Sequence, residues 1–230
     1  MSLRTSLTNI QEQQFAALDA LYHEWNEKIN LISRKDIDNL MEHHVLHSLA
    51  IGEYISFAAG TTILDVGTGG GFPGIPLAIL FPECHFTLID GIGKKVMVAA
   101  DIAKRIGLTN VECLHERVEE EKRQFDFVVS RAVMPLPDLV KLVRKNVHHK
   151  YKNAIPNGVI VLKGGNLDAE IAPFRKSAEV TEISSFAASS IAPAQTTMAS
   201  ANNKSTATSI TPLSFSGDWF TEKRIIYLPL

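Results

Sequence analysis

The first sixty positions repeat their apolar residues every three or four places. Phe15, Leu18, Tyr22, Trp25 and Ile29 form one stripe on one face of a helix. Thr8 followed by Gln11 has the form of a capping box ahead of it. A second helix is expected from near Ser33, with Asp36 as its first-turn acid, burying Ile37, Leu40, Met41, Val45 and Leu49. Residues 1–60 read as a helical extension closed by Gly60. From Thr61 the period changes. Ile63–Val66, His85–Ile89, Val111–Leu114, Phe125–Val129 and Val159–Leu162 are short apolar runs of the kind a buried parallel strand presents. Between them, Pro73 and Pro76 sit where a helix begins, Lys94–Ile106 is helical and closes at Gly107, and a helix is expected from about Leu136 to Val147. Alternating strand and helix with short links predicts a doubly wound α/β sheet over residues 61–230. Arg224–Leu228 is a last strand, pairing with one around Glu179–Ile183. Ser184–Gly217 is rich in Ser, Ala and Thr, with Lys204 its only charge, and reads as a flexible low-complexity insertion at about 184–217.

Composition narrows the class. Of 230 residues, 45% are hydrophobic and 21% charged, enough for a sizeable core, and a net charge of −2 excludes a polybasic protein. Two cysteines exclude a disulfide scaffold and a four-thiolate zinc site. His43 and His47 have metal-ligand spacing, but no third ligand is suggested, so no metal is expected. The apolar stretch Phe72–Phe81 holds two prolines and is far short of the ~20 residues of a membrane span. With no apolar signal region in MSLRTSLTNIQEQQ, a reduced, cytoplasmic protein is expected, without membrane contact.

The chemistry concentrates after the first strand, in Asp65-Val66-Gly67-Thr68-Gly69-Gly70-Gly71-Phe72-Pro73-Gly74. Glycine tolerates the tight turn and lets a ligand lie against the backbone, and the loop stands at the carboxyl edge of the sheet. The residues formally match G-x-G-x-x-G with Asp90 about twenty positions on. Asp65, however, places a carboxylate where a pyrophosphate would be repelled. It suits a cofactor with an ammonium and a sulfonium, S-adenosylmethionine, better than a nicotinamide dinucleotide. Asp90 has two oxygens for ribose hydroxyls, or is a capping residue in a turn. In His115-Glu116-Arg117-Val118-Glu119, Val118 can pack on adenine while a carboxylate reads its amino group; the other reading is an exposed charged loop. Arg131, ending the fourth strand, reads as binding cofactor carboxylate or substrate, or as a structural ion pair, and Lys163 ends the fifth.

Together, Trp25-Asn26, Asn30-Leu31, His44–Ser48, the DVGTGGGFPGIPLA loop, Leu88-Ile89-Asp90 with Lys94-Lys95, Arg117-Val118-Glu119, Ser130-Arg131-Ala132 and Leu162-Lys163-Gly164 resemble the glucose-inhibited division B family. The likeness runs from about Tyr22 to Glu170 and again from Trp219 to Pro229. It implies a Rossmann-like, S-adenosylmethionine-dependent methyltransferase with an N-terminal helical extension, acting on N7 of a guanosine in the decoding region of 16S ribosomal RNA. By the same resemblance Gly67, Phe72, Val118, Glu119 and Arg131 line the cofactor pocket, beside Asp65, Gly69 and Asp90 read from the residues themselves. His47 departs from the family, which usually carries an acid there. Guanine N7 bears a free lone pair and needs no general base, in keeping with the lack of a nucleophile–base pair. The expected partner is 16S RNA or the small ribosomal subunit, with Lys28, Arg34, Lys35 and Lys163 as RNA candidates; the basic stretch Lys141–Lys152 reads equally as a solvated helix face. Two other readings stay open at this point: an NAD-dependent dehydrogenase, and a non-catalytic RNA- or ribosome-binding protein on the same fold.

Overall fold

The structure, a computed structural model, describes residues 7–131, 133–186, 214–215 and 217–230. Most of the segment expected to be a low-complexity insertion lies outside the described residues. The chain opens with α1 (Asn9–Lys28), whose Thr8–Gln11 capping box is formed in both directions. The second helical segment differs from the expected single helix. A 3₁₀ turn, Ile37–Asn39, leads into a π-helix, Leu40–Leu46, and only then into α2 (His47–Tyr54). Asp36 makes no cap hydrogen bond. Its carboxylate takes His43 Nδ1 at 2.5 Å and His44 Nε2 at 2.8 Å instead, and the wider π winding presents these consecutive side chains to one acid. Met41 is only half-buried.

Then follow β1 (Thr62–Val66), α3 (Gly74–Leu80), β2 (His85–Asp90), α4 (Gly93–Arg105), β3 (Val111–His115), β4 (Phe127–Arg131), α5 (Leu136–Val143), β5 (Gly158–Gly164), α6 (Asp168–Ile171), β6 (Glu179–Glu182) and β7 (Lys223–Pro229). Helix α5 stops four residues earlier than expected and tightens to 3₁₀ over Arg144–Asn146, because Asn146 turns inward to donate to the carbonyls of Glu121 and Arg123. Phe125 lies outside β4 and bridges to Val147.

The seven strands order as β3-β2-β1-β4-β5-β7-β6, parallel except where β7 runs antiparallel to β5 and β6. From β1 the chain winds outward through β2 and β3, then returns to start the other half at β4. The carboxyl ends of β1 and β4 therefore flank the switch point where such sheets leave a crevice. Side chains alternate between two apolar layers, which is why the strands read as unbroken apolar runs. Phe127, Val129 and Ile160 pack with Phe86, Ile75, Leu49 and Leu18, while Val128, Val159 and Val161 pack with Leu64, Leu139 and Val143. α1 shares the first layer through Phe15, Leu18 and Tyr22. No helix connects β3 to β4, and β3 is correspondingly half-exposed. No described helix is long and apolar enough to cross a membrane.

Phe127 is fully buried at the centre of the sheet, its ring 5.2 Å from that of Phe57. Phe127→Ala leaves a cavity that neighbouring strands cannot collapse into, and is expected to cost about 3–5 kcal/mol, read as a lowered urea midpoint with unchanged slope.

Candidate cofactor cleft

At the end of β1 the chain turns under itself. Asp65, wholly buried, accepts the Thr68 hydroxyl at 2.6 Å and the Gly74 amide at 2.9 Å on Oδ2, so one carboxylate ties the start of the glycine loop to the first turn of α3. Its Oδ1 has no partner. Burial pushes its carboxyl up to about 7, against the pull of both hydrogen bonds and the Arg131 charge. Asp90, at the end of β2, takes the Gly69 amide on Oδ2 (2.9 Å) and the Ile92 amide on Oδ1 (2.8 Å). Asp90 thus organises its own turn, as its reading as a turn residue expects, and also fixes the neighbouring glycine loop. Gly69 has φ +58° and nothing within 4 Å of where a Cβ would stand, leaving its backbone open to a ligand.

The helical extension supports the loop from the other side. Tyr22 of α1 donates its hydroxyl to the Gly70 carbonyl at 2.7 Å and stacks on Phe72, ring centres 4.7 Å apart. Leu31 crowds Gly70 so closely that a Cβ there would fall 2.4 Å from its Cδ2. Asn26 holds Leu31 in place by accepting the amides of Leu31 and Ile32. Beyond Phe72 lies Arg131, its guanidinium carbon 5.1 Å from the ring centre. Nη1 donates to the His43 carbonyl (3.2 Å), and Nη2 lies 2.8 Å from His44 Nδ1. Burial, with Arg131 adding to it, lowers His44 to about 4. The ring is therefore neutral, accepting from Arg131 at Nδ1 and donating to Asp36 from Nε2. Burial lowers Arg131 to about 10, which leaves it charged at neutral pH. His47 is buried against Trp219 and Phe220 and is held neutral by burial, so the position where the resemblance expects an acid carries an apolar contact here.

A cleft of about 220 Å³ opens at the carboxyl edge, lined among others by Gly67, Ile89, Asp90, Val118, Glu119 and Met134. The structure thus brings four of the expected cofactor residues, Gly67, Asp90, Val118 and Glu119, to its wall. Asp65, Gly69, Phe72 and Arg131 are not among the lining residues; they form and back the loop beside it. Ile89, Val133 and Met134 also line it. Val133 and Met134 carry no motif of their own, and their position directly after Ser130-Arg131-Ala132 is the one signal that could have found them. Tyr22 reads in the sequence only as core, since its ring fits the α1 stripe.

The candidate RNA cations have different surroundings. Lys28 pairs with Glu24 at 2.8 Å and lies over Trp25, while Arg34 and Lys35 are exposed. Lys163 is only 10% exposed in its side chain and is held by the Met134 carbonyl and Glu170. In the basic stretch, Lys152 bonds the Gly60 carbonyl and pairs with Asp126, at the edge of the sheet opposite the cleft. Among the described residues no three His, Cys, Asp or Glu side chains are grouped to hold a metal.

A doubly wound sheet whose first strand ends in a buried acid and an open glycine loop, and whose second ends in an acid at the cleft wall, defines a Rossmann-type protein for a nucleoside-bearing cofactor. The sequence profile described as rRNA small subunit methyltransferase G matches residues 11–198, and the chain belongs to that family. It is 64% identical over 169 residues to the ribosomal RNA small subunit methyltransferase G of Bacteroides fragilis, covering 74% of this chain and 82% of that protein. To the protein of the same name from Porphyromonas gingivalis it is 47% identical over 225 residues, 97% of this chain and 89% of the relative. Among solved structures, the precorrin-6y C5,15-methyltransferase of Geobacter metallireducens superposes with a TM-score of 0.52 at 11% identity, over 88% of this chain and 93% of that one, a likeness of fold.

The state of Asp65 has a measurable consequence. Between about pH 4 and pH 7 the folded protein keeps a proton on Asp65 that the unfolded chain releases, so this residue's contribution to stability falls as pH rises through that window. His44, a base held neutral, acts in the opposite direction: its contribution is lost as pH falls from 6.5 towards 4. The difference in unfolding free energy between wild type and Asp65→Asn isolates the first effect, and is expected to decline from pH 4.5 to 7.5 in urea titrations.

Proposed function

We propose that this chain transfers the methyl group of S-adenosylmethionine to N7 of a guanosine in 16S ribosomal RNA, on the free RNA or the small subunit, in the cytoplasm. The observation that carries this reading is a cleft at the switch point, walled by Gly67, Asp90, Val118 and Glu119, in a chain of the rRNA small subunit methyltransferase G family. The residues present fit the cofactor. Ile89, Val118 and Met134 offer apolar surface to a flat base, the open backbone of Gly69 allows close approach, and Asp90 stands at the wall for a ribose. Asp90, Glu116 and Glu119 make the cleft's surroundings acidic, which favours a cationic donor over a dinucleotide pyrophosphate. Family membership likewise favours a methyltransferase over a nicotinamide-dependent dehydrogenase or a non-catalytic ribosome-binding protein.

When bound, S-adenosylmethionine supplies a methyl group on a positively charged sulfur. The protein's part is placement. Asp90 would hold the ribose, Val118 the adenine face, and Arg131 the amino-acid carboxylate, its guanidinium oriented by the His43 carbonyl and neutral His44. Guanine N7 needs no proton removed before it attacks, so no side chain has to act as a base, and alignment of this kind is worth ~7–11 kcal/mol. The carboxylates around the cleft favour the positive charge that passes from sulfur to the purine. RNA phosphates would meet the helical extension at the exposed Arg34 and Lys35 and at Lys28.

Four measurements test the reading. S-adenosylmethionine, and not NAD, is expected to raise the melting temperature. Arg131→Ala is expected to reduce methyl incorporation into 16S RNA at least a hundredfold, by about the cost of losing one buried charged partner, and mass mapping of RNA from cells lacking the protein should reveal a missing 7-methylguanosine. Replacing Arg34 and Lys35 together by Ala should weaken RNA binding and flatten the log–log salt slope by about 0.7–0.9 for each phosphate no longer neutralised.

A further inference from the structure

Pro135, between β4 and α5, offers no N–H of its own, and the polar groups on either side of it are gathered by two distant side chains. Lys163, at the end of β5, donates from Nζ to the Met134 carbonyl at 2.6 Å and to Glu170 Oε2 at 2.8 Å. The same Glu170 oxygen accepts the Leu136 amide at 2.7 Å. Leu136 is the first residue of α5, and the helix has no capping side chain of its own. Its open N-terminal amides call for an anion, which α6 supplies from 34 residues away. A carboxylate that is 26% exposed is in turn better held when a cation faces it, and Lys163 is that cation. Carbonyl, ammonium, carboxylate and amide close a ring around Pro135.

The loop so closed is a wall of the cleft, which Val133 and Met134 both line. Val133 also packs against Gly67, so closely that a Cβ there would fall 2.3 Å from its Cγ2. A shift of this loop would therefore be felt at the glycine loop as well. We propose that Lys163 is a positioning residue of the methyl-donor cleft, acting with Glu170 through the Met134–Leu136 backbone, and not an RNA phosphate contact. The inference rests on the cofactor reading given above.

The two roles predict opposite behaviour for Glu170. If Lys163 served RNA, Glu170→Gln would free its charge and leave RNA binding as strong or stronger. If Lys163 serves the loop, Glu170→Gln should mimic its loss. The experiment compares wild type, Lys163→Met, Glu170→Gln and the double variant. Binding of S-adenosylhomocysteine, measured without RNA, is expected to weaken about tenfold in each single variant, and the double variant should be no worse than the weaker single, as for two members of one network. Hydrogen exchange at the Leu136 amide should accelerate in all three. In turnover, KM for the donor should rise while KM for RNA, and the salt slope of RNA binding, stay at wild-type values. Should Lys163→Met fold poorly, Glu170→Gln alone carries the comparison. Lower RNA affinity with a flatter salt slope in Lys163→Met, and no change of either in Glu170→Gln, would overturn the proposal. Equal S-adenosylhomocysteine affinities in all four proteins would overturn it alone, whereas a wild-type protein that binds no such nucleoside would remove the functional reading and this inference with it.

Discussion

The cleft depends on one buried carboxylate. Asp65 joins Thr68 to Gly74 across the glycine loop, and without that tie neither the open backbone at Gly69 nor the start of α3 has a fixed position. Burying a carboxylate is unfavourable, and the pKa of about 7 records how incompletely its two donors offset the loss of water. Its second oxygen stays without a partner. Stability is thereby given up beside the cleft, where a bound cation would help this carboxyl release its proton.

The helical extension belongs to the same construction. Tyr22 holds the Gly70 carbonyl, Leu31 closes over Gly70, and His43 with His44 holds Arg131 against Phe72. A neutral hydrogen bond such as that of Tyr22 is worth only about 0.5–1.5 kcal/mol. Its effect lies in direction, because it orients a peptide within a run of glycines that has little preference of its own. The segment proposed to meet RNA is thus in contact with the loop proposed to meet the cofactor.

The sheet was legible in the residues because strands buried on both faces leave continuous apolar runs, and the glycine loop because few backbones need so many glycines in succession. The parts that escaped have partners far away in the chain. Tyr22 shows an apolar ring in an apolar stripe, and only the fold reveals that its hydroxyl meets a carbonyl 48 residues on. Lys163 has the appearance of a free cation at a strand end until Met134 and Glu170 are placed beside it. The π-helix left no trace in the pattern, since its apolar positions Leu40, Val45 and Leu46 suit an α-helix almost as well.

That π winding sets a narrow tolerance on chain length. A π turn holds one residue more than the α turn it replaces, so deleting one between Leu40 and Leu46 would restore ordinary winding, keep the flanking turns near their places and remove the bulge itself. Asp36 could no longer face His43 and His44 together, and the guanidinium of Arg131 would lose its orientation from that side. No residue of Leu40–Leu46 is fully exposed, so in this part of the chain the number of residues constrains divergence as well as their identity.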